Sequence, residues 1–338
     1  MKCGVLVYQA INGYLNAGDY IQSLAALQFL HEPVEFINRE HLNEYNKNAV
    51  ELIMNGWFLH EPKNWPPSAK INPLFVSFHL NTKAYEILNN PDAIAYFKKY
   101  EPIGCRDQAT TSFLLNNGIK AYFSGCLTLT LGEKYKSNKK NRAIYFVDPA
   151  FEIKKDFISL LKYTKALLAD FKNILSVCRR LYRSINFMDL LKAAAFYQQY
   201  SQIFEPSMLV KSEYLTHDLC DKSFTSETAK FDYARALVEK YASAELVITS
   251  RIHCALPCLG FGTPAIYIDN VNSTRSSACR LDGLIQLLHT IKYNNGEFSM
   301  GSLNLNTKRI GSNDVLANKD IHIEYKDALI KKCKEFIR

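Results

Sequence analysis

The stretch Glu245-Leu-Val-Ile-Thr-Ser-Arg-Ile-His-Cys-Ala-Leu-Pro-Cys-Leu-Gly-Phe-Gly-Thr-Pro-Ala-Ile-Tyr-Ile268 decides the fold class. Leu246, Val247 and Ile248 form the short apolar run that a strand buried on both faces requires. Thr249 and Ser250 are residues that open helices, and helical spacing then runs to a stop at Gly260 and Gly262. Ala265, Ile266, Tyr267 and Ile268 supply a second apolar strand. The order strand, turn, helix, strand is a βαβ unit, and open parallel sheets hold ligands just beyond the strand C-termini. That position carries Ser250, Arg251 and His253. A helix N-terminus offers unpaired N–H groups and partial positive charge, and a guanidinium adds a two-pronged grip on carboxylate or phosphate. A histidine two residues on can accept or donate a proton near neutral pH.

The same pattern repeats upstream. Residues 3–8, 34–37, 50–54, 74–78, 102–105 and 121–123 read as strands, and helical periodicity marks 19–30 and 108–115. Several strand ends carry polar residues that predict a cleft wall: Asn55 after 50–54, His79 after 74–78, and Arg106-Asp107 after 102–105. Asn16-Ala17-Gly18-Asp19 is the first βα loop, with Gly18 for a tight turn and Asp19 as a helix cap. Arg106 repeats the logic of Arg251, a guanidinium at a strand end beside a helix start. The polar, lysine-rich segment 133–141 predicts a linker between a Rossmann-like domain over 1–135 and a second over 142–318. In the second, 143–147 and 213–216 are strands, and His217 follows the latter on the rim that also carries His253. A glycine- and proline-free helical region covers 153–200, and a helix spans 231–242. Beyond Ile268 come a polar loop to Ser277, a helix over 280–289, a loop over 294–318, and a terminal helix within 319–338 that is expected to pack back across the domain boundary.

Thr249-Ser-Arg-Ile-His253 followed by Gly-Thr-Pro-Ala-Ile, together with Asn16-Ala-Gly-Asp19 and Gln22, Met54-Asn-Gly-Trp57 and Gly104-Cys-Arg-Asp107, resembles the polysaccharide pyruvyl transferase family. The resemblance implies two Rossmann-like domains facing across a cleft, a GT-B-like α/β architecture. It also implies transfer of pyruvate from phosphoenolpyruvate, as co-substrate, to two hydroxyls of a glycan or lipid-linked sugar, giving a cyclic ketal for cell-surface polysaccharide. His253 would be the acid/base, with Arg251 and Arg106 clamping the donor and Ser250 beside them. Asn16, Asp19, Asn55, His79 and His217 would line the cleft, and no metal or other cofactor is called for. Two departures stand out. Many relatives have an acidic residue and proline where this chain has Cys126-Leu127, and Arg280 stands near a position where relatives often carry lysine. Arg280 keeps the charge but changes its shape.

Composition bounds the alternatives. The 338 residues suit two domains, and the net charge of +8 favours anionic partners. No basic stripe interleaved with aromatics suggests nucleic acid. Gly-x-Gly-x-x-Gly and a Walker lysine loop are both missing, which removes nicotinamide, flavin and ATPase readings. The nine cysteines are odd in number and unpaired by motif, so free thiols in a cytoplasmic setting are expected, and no zinc spacing occurs. Residues 153–184 carry many more lysines and arginines than acids over an apolar stripe. This is either a solvated face over a core, or a basic amphipathic surface that would hold the protein at the inner face of an anionic membrane. Two other functions fit the same motifs: a GT-B-like glycosyltransferase using a nucleotide sugar, and an inactive sugar- or anion-binding relative.

Overall fold

The computed structural model describes residues 2–182, 185–272, 279–303, 309–312, 314 and 316–337, with 82, 83, 88 and 89 by backbone only. Residues 273–278 of the predicted polar loop, Arg183 and Ser184 of the basic region, and parts of 304–315 lie outside them.

The chain is mixed α/β, built on two sheets, the first parallel and the second parallel except for an antiparallel last strand. The first contains β1 (Lys2–Val7), β3 (Val34–Asn38), β4 (Val50–Phe58), β5 (Ile71–Leu80), β6 (Ile103–Cys105) and β7 (Ala121–Phe123), in the order β3-β1-β4-β5-β6-β7. Its helices are α1 (Ala17–Leu27), α2 (Pro91–Lys99), α3 (Gln108–Asn116) and the short α4 (Gly132–Tyr135). The second contains β8 (Ile144–Val147), β9 (Glu213–Leu215), β11 (Leu246–Thr249), β12 (Ala265–Asn270), β13 (His289–Asn294) and β14 (Glu297–Ser299), in the order β14-β13-β12-β11-β8-β9. With it go α5 (Phe157–Ala169), α6 (Phe171–Leu181), α7 (Phe187–Tyr200), α8 (Pro206–Lys211), α9 (Glu227–Ser243) and α10 (Ile252–Phe261). A final helix, α11 (His322–Phe336), returns to the first sheet, where Tyr325 meets Phe123 edge-on at 5.2 Å.

Counted along the chain, both sheets have the strand order 2-1-3-4-5-6, although no sequence repeat joins them. In each, the order reverses beside the first strand, so β1/β4 and β8/β11 open crevices at their C-terminal ends, the usual ligand position. A small antiparallel ribbon ties the crevices together: β2 (Tyr14–Asn16) pairs with β10 (Asp218–Cys220), with Asn16 opposite Asp218. Ala17 N–H also donates to the His217 carbonyl at 2.8 Å. Helices α1, α9 and α10 pack between the halves, and one hydrophobic core runs through both. There, backbones touch: a Cβ on Gly260 would lie 2.2 Å from the Leu129 carbonyl oxygen, so only glycine fits.

Several elements differ from the sequence expectation, each for a local reason. β4 continues past Met54 through a register shift at Asn55, and β5 continues to Leu80. Asn55 and His79 therefore sit within strands rather than beyond their ends. The 153–200 region is three helices, because Asp156 and Asn186 cap α5 and α7 and Asp170 leaves helical geometry between α5 and α6. The expected helix over 280–289 is broken at Gly283 (φ +83°) and gives way to β13. The 294–318 loop starts with a hairpin whose Asn295-Gly296 pair has both φ positive, the two-residue turn that suits paired strands. Among the described residues no helix is long and apolar enough to cross a membrane.

Candidate active site

Strand ends of both sheets converge on one cavity of about 260 Å³. From the first half come Tyr8 after β1, Asn16 and Asp19 at the start of α1, Arg39 after β3, Trp57 in β4, and Arg106 after β6. From the second come His217 and Asp218 after β9, Arg251 and His253 after β11, and Arg280. With His60, which follows β4, four guanidiniums thus share a wall with three imidazoles, an indole and two carboxylates.

Arg106 is buried to 1 % exposure, a cost that only specific bonding offsets. Its backbone N–H donates to the Phe78 carbonyl, which fixes the start of α3, and its Nη1 donates to Gln22 Oε1 at 3.2 Å. Nη1 also reaches His253 Nε2 at 3.4 Å. Guanidinium nitrogens only donate, so Nε2 is the lone-pair nitrogen and Nδ1 carries the proton. Burial, then the charges of Arg106 and Arg280, hold the imidazole well below its ordinary pKa, and it is neutral at neutral pH. His253 leans on the first turn of α1: a Cβ at Gly18 would lie 3.2 Å from Nδ1 and 3.0 Å from Asn16 Oδ1. Gly18 is needed for that close approach rather than for the tight turn expected of it. The helix cap is also Asn16, whose Oδ1 accepts from Gly18 N–H at 2.9 Å. Asp19 is a first-turn residue that accepts from Gln22 Nε2 at 3.2 Å and faces Arg39 at 3.7 Å.

Arg251 is in a different electrostatic state. Its Nε donates to Asp148 at 2.8 Å and its Nη2 to Asp218, so two carboxylates already balance it. Asp148 holds a left-handed backbone (φ +43°), a strained conformation for a non-glycine residue, and accepts from His217 N–H at 2.8 Å as well. Ser250 donates its hydroxyl to the Asp148 carbonyl and faces a neighbouring pocket of about 220 Å³ that shares Arg251 and Arg280 with the main cavity. His217, 1 % exposed, pairs Nε2 with the Tyr241 hydroxyl at 2.9 Å, and burial pushes its pKa down to about 4.

Arg280 has no carboxylate partner among the described residues. Its guanidinium lies 5.5 Å from the Trp57 ring, a cation–π contact, and burial followed by repulsion from Arg106 lowers its pKa. Among the described residues, four cavity side chains keep a buried N–H that makes no hydrogen bond: Arg39 Nη1, which has only the longer ion pair with Asp19, Trp57 Nε1, Arg106 Nε and Arg280 Nε. Native proteins rarely leave such donors unmet, so the cluster points to an acceptor-rich guest.

The sequence-predicted residues divide accordingly. Asn16, Asp19, Arg106, His217, Arg251, His253 and Arg280 meet at the cavity. Asn55 and His79 do not line it. Asn55 donates to the Gln22 carbonyl at 2.8 Å, supporting the residue that holds Arg106. His79 bonds through Nδ1 to Asp107 at 2.5 Å, and burial, then Arg106, pushes its pKa down to about 4. Arg39 and Asp148 complete the site beyond the sequence reading, and Gln22, quoted there only as part of a motif, proves to hold Arg106. Arg39 and Asp148 follow strands β3 and β8, the same signal that marked Arg106 and Arg251.

Fold and cavity define a class: an α/β protein with a guanidinium-lined crevice assembled from the strand ends of two largely parallel sheets. The chain matches the family described as polysaccharide pyruvyl transferase over residues 16–273, and it belongs to that family. No curated protein matches it.

Proposed function

We propose that the protein transfers pyruvate from phosphoenolpyruvate to two hydroxyls of a sugar, forming a cyclic ketal for cell-surface polysaccharide. In this reading the two sheets are Rossmann-like domains arranged in the GT-B-like manner, with 136–141 between them. The carrying observation is the group of N–H donors on Arg39, Trp57, Arg106 and Arg280 that make no hydrogen bond among the described residues, around a neutral His253. Phosphoenolpyruvate brings a carboxylate and a phosphate, two groups that forked guanidiniums bind with charge-assisted bonds.

Arg106 and Arg280 receive the donor's charge, with Arg251, already balanced by Asp148 and Asp218, as a weaker third contact. As Arg106 turns to the anion, Nε2 of His253 is freed to accept a proton from an attacking sugar hydroxyl. The balance is simple. C3 of the donor gains one proton, both hydroxyls lose theirs, two C–O bonds form at C2, and the C2–O bond to phosphate breaks as phosphate leaves with the second proton. A bound anion also offsets Arg106 and Arg280, so the His253 pKa rises on donor binding and the imidazolium becomes accessible during turnover.

The test is release of inorganic phosphate from phosphoenolpyruvate with a panel of glycosides, each product weighed for the pyruvate ketal. Phosphate release that depends on the glycoside and yields that mass supports the reading. Release of nucleotide from a nucleotide sugar, with none of phosphate from phosphoenolpyruvate, overturns it.

A further inference from the structure

Exposed apolar side chains are concentrated in one place. Phe157, Ile158, Leu160, Leu161, Leu168, Phe171, Ile185, Phe187 and Met188 are nine of the seventeen exposed large hydrophobic residues described, and all fall within 32 positions. On α5 the arrangement is regular. At 100° per residue, Phe157, Leu161 and Leu168 fall within about 40° of arc, while the buried Tyr163 points roughly the opposite way. Phe157 is 74 % and Leu168 80 % exposed, values that no core-facing stripe would show. Lys165 and Lys162 lie along one side of that stripe, about 60° and about 120° from its centre by the same count, and Lys154, Lys155 and Lys172 lie just beyond the helix ends.

Charge identifies the occupant. Residues 153–182 hold seven lysines and arginines against two acids. Both acids are engaged, Asp156 in capping α5 and Asp170 in accepting from the Tyr197 hydroxyl. None of the seven cations lies in a salt bridge with a carboxylate among the described residues. A helix of about 20 Å with an apolar stripe edged by unpaired lysines matches the headgroup boundary of an anionic bilayer, where apolar tips insert and ammonium groups meet lipid phosphates.

We infer that the outer face of α5, with Phe171 at the start of α6, docks the protein on an anionic membrane surface. Asp148 at the cavity and Phe157 at the head of α5 are nine residues apart, no more than roughly 30 Å of chain. A docked α5 therefore holds Asp148, and the pocket it lines beside the main cavity, within roughly 30 Å of the headgroup layer. The inference stands apart from the reaction chemistry, because binding to lipid is measured without turnover.

The experiment is flotation of the full chain with vesicles of phosphatidylcholine containing 30 % phosphatidylserine, against pure phosphatidylcholine, in low and in 0.5 M salt. Binding is expected to the anionic vesicles and to fall about tenfold in high salt, where the screening length is only a few ångströms. Leu161→Glu/Leu168→Glu and Lys162→Glu/Lys165→Glu should each weaken it at least tenfold with an unchanged melting temperature, since both pairs are exposed. Equal or negligible binding to the two lipid compositions overturns the inference. So does a dimer that Leu161→Glu/Leu168→Glu separates while vesicle binding stays unchanged or undetectable, which gives the face to a second copy.

Discussion

Arg106 and Arg251 occupy matching places, each after a strand of its sheet and at the start of a helix, yet their surroundings differ. Arg106 is fully buried and, among the described residues, its guanidinium has only neutral hydrogen-bond partners, Gln22 and His253. Arg251 is partly exposed and held by Asp148 and Asp218. A guanidinium without a counterion retains its capacity for an anion, whereas one gripped by two carboxylates is largely engaged in joining the ends of β8, β10 and β11 within the second half. Position in the fold alone does not make an arginine a ligand; charge compensation separates the two roles.

That contrast can be broken in order of expected effect. Arg106→Ala should lower kcat/KM for phosphoenolpyruvate by about 10³-fold or more, because a desolvated charge-assisted contact is lost. Arg106→Lys should recover little, as the fork is missing. A loss below tenfold in a folded Arg106→Ala protein would abolish the distinction. His253→Gln should lower kcat roughly 10²- to 10³-fold with a small change in KM, and it should remove the acid limb from the kcat profile. With His253 as the proposed base, that limb is expected to rise with pH, and donor binding should place it at higher pH than in the free protein.

His79 and His217 form a second matched pair, one in each half, both pushed down to about 4. A depressed histidine is neutral in the folded protein but takes a proton in the unfolded chain below about pH 6.5. Stability is therefore full above that pH and falls progressively toward pH 4, by up to about 3 kcal/mol for each group. Urea titrations at pH 7.5 and 5 should show the drop, and His217→Gln should reduce it. Arg251→Ala should have the smallest catalytic effect, raising the donor KM about tenfold while costing roughly 1–3 kcal/mol of stability through the unpaired aspartates. Asp218→Asn added to it should restore part of that stability, and a thermal melt of the double variant decides the point.

Legibility of the site followed the range of the forces involved. The βα turn at 249–253 was readable because strand runs and helix starts are written in adjacent residues. The same applies to Asn16, Asp19 and Arg106. Asn55 and His79 were misplaced by a few residues of strand length. A register shift at Met54/Gly56 and pairing with a neighbouring strand extended β4 and β5 beyond what apolar periodicity marks. Arg39 and Asp148 carried the same signal as Arg251, but nothing local distinguishes a surface arginine from one stacked 4.5 Å from the Tyr8 ring.

Sequence alone thus determined the parallel α/β character, the turn that carries Arg251 and His253, and the membership of the family, since each depends on neighbours along the chain. Tertiary structure alone decided that strand ends of both sheets share one cavity, that Arg251 is neutralised while Arg106 and Arg280 are not, and that His253 is a neutral acceptor. Those properties depend on charges and burial brought together from positions more than a hundred residues apart, as Arg106 and His253 are at 3.4 Å. Coulomb energy and desolvation depend on distance in space, which local periodicity does not encode.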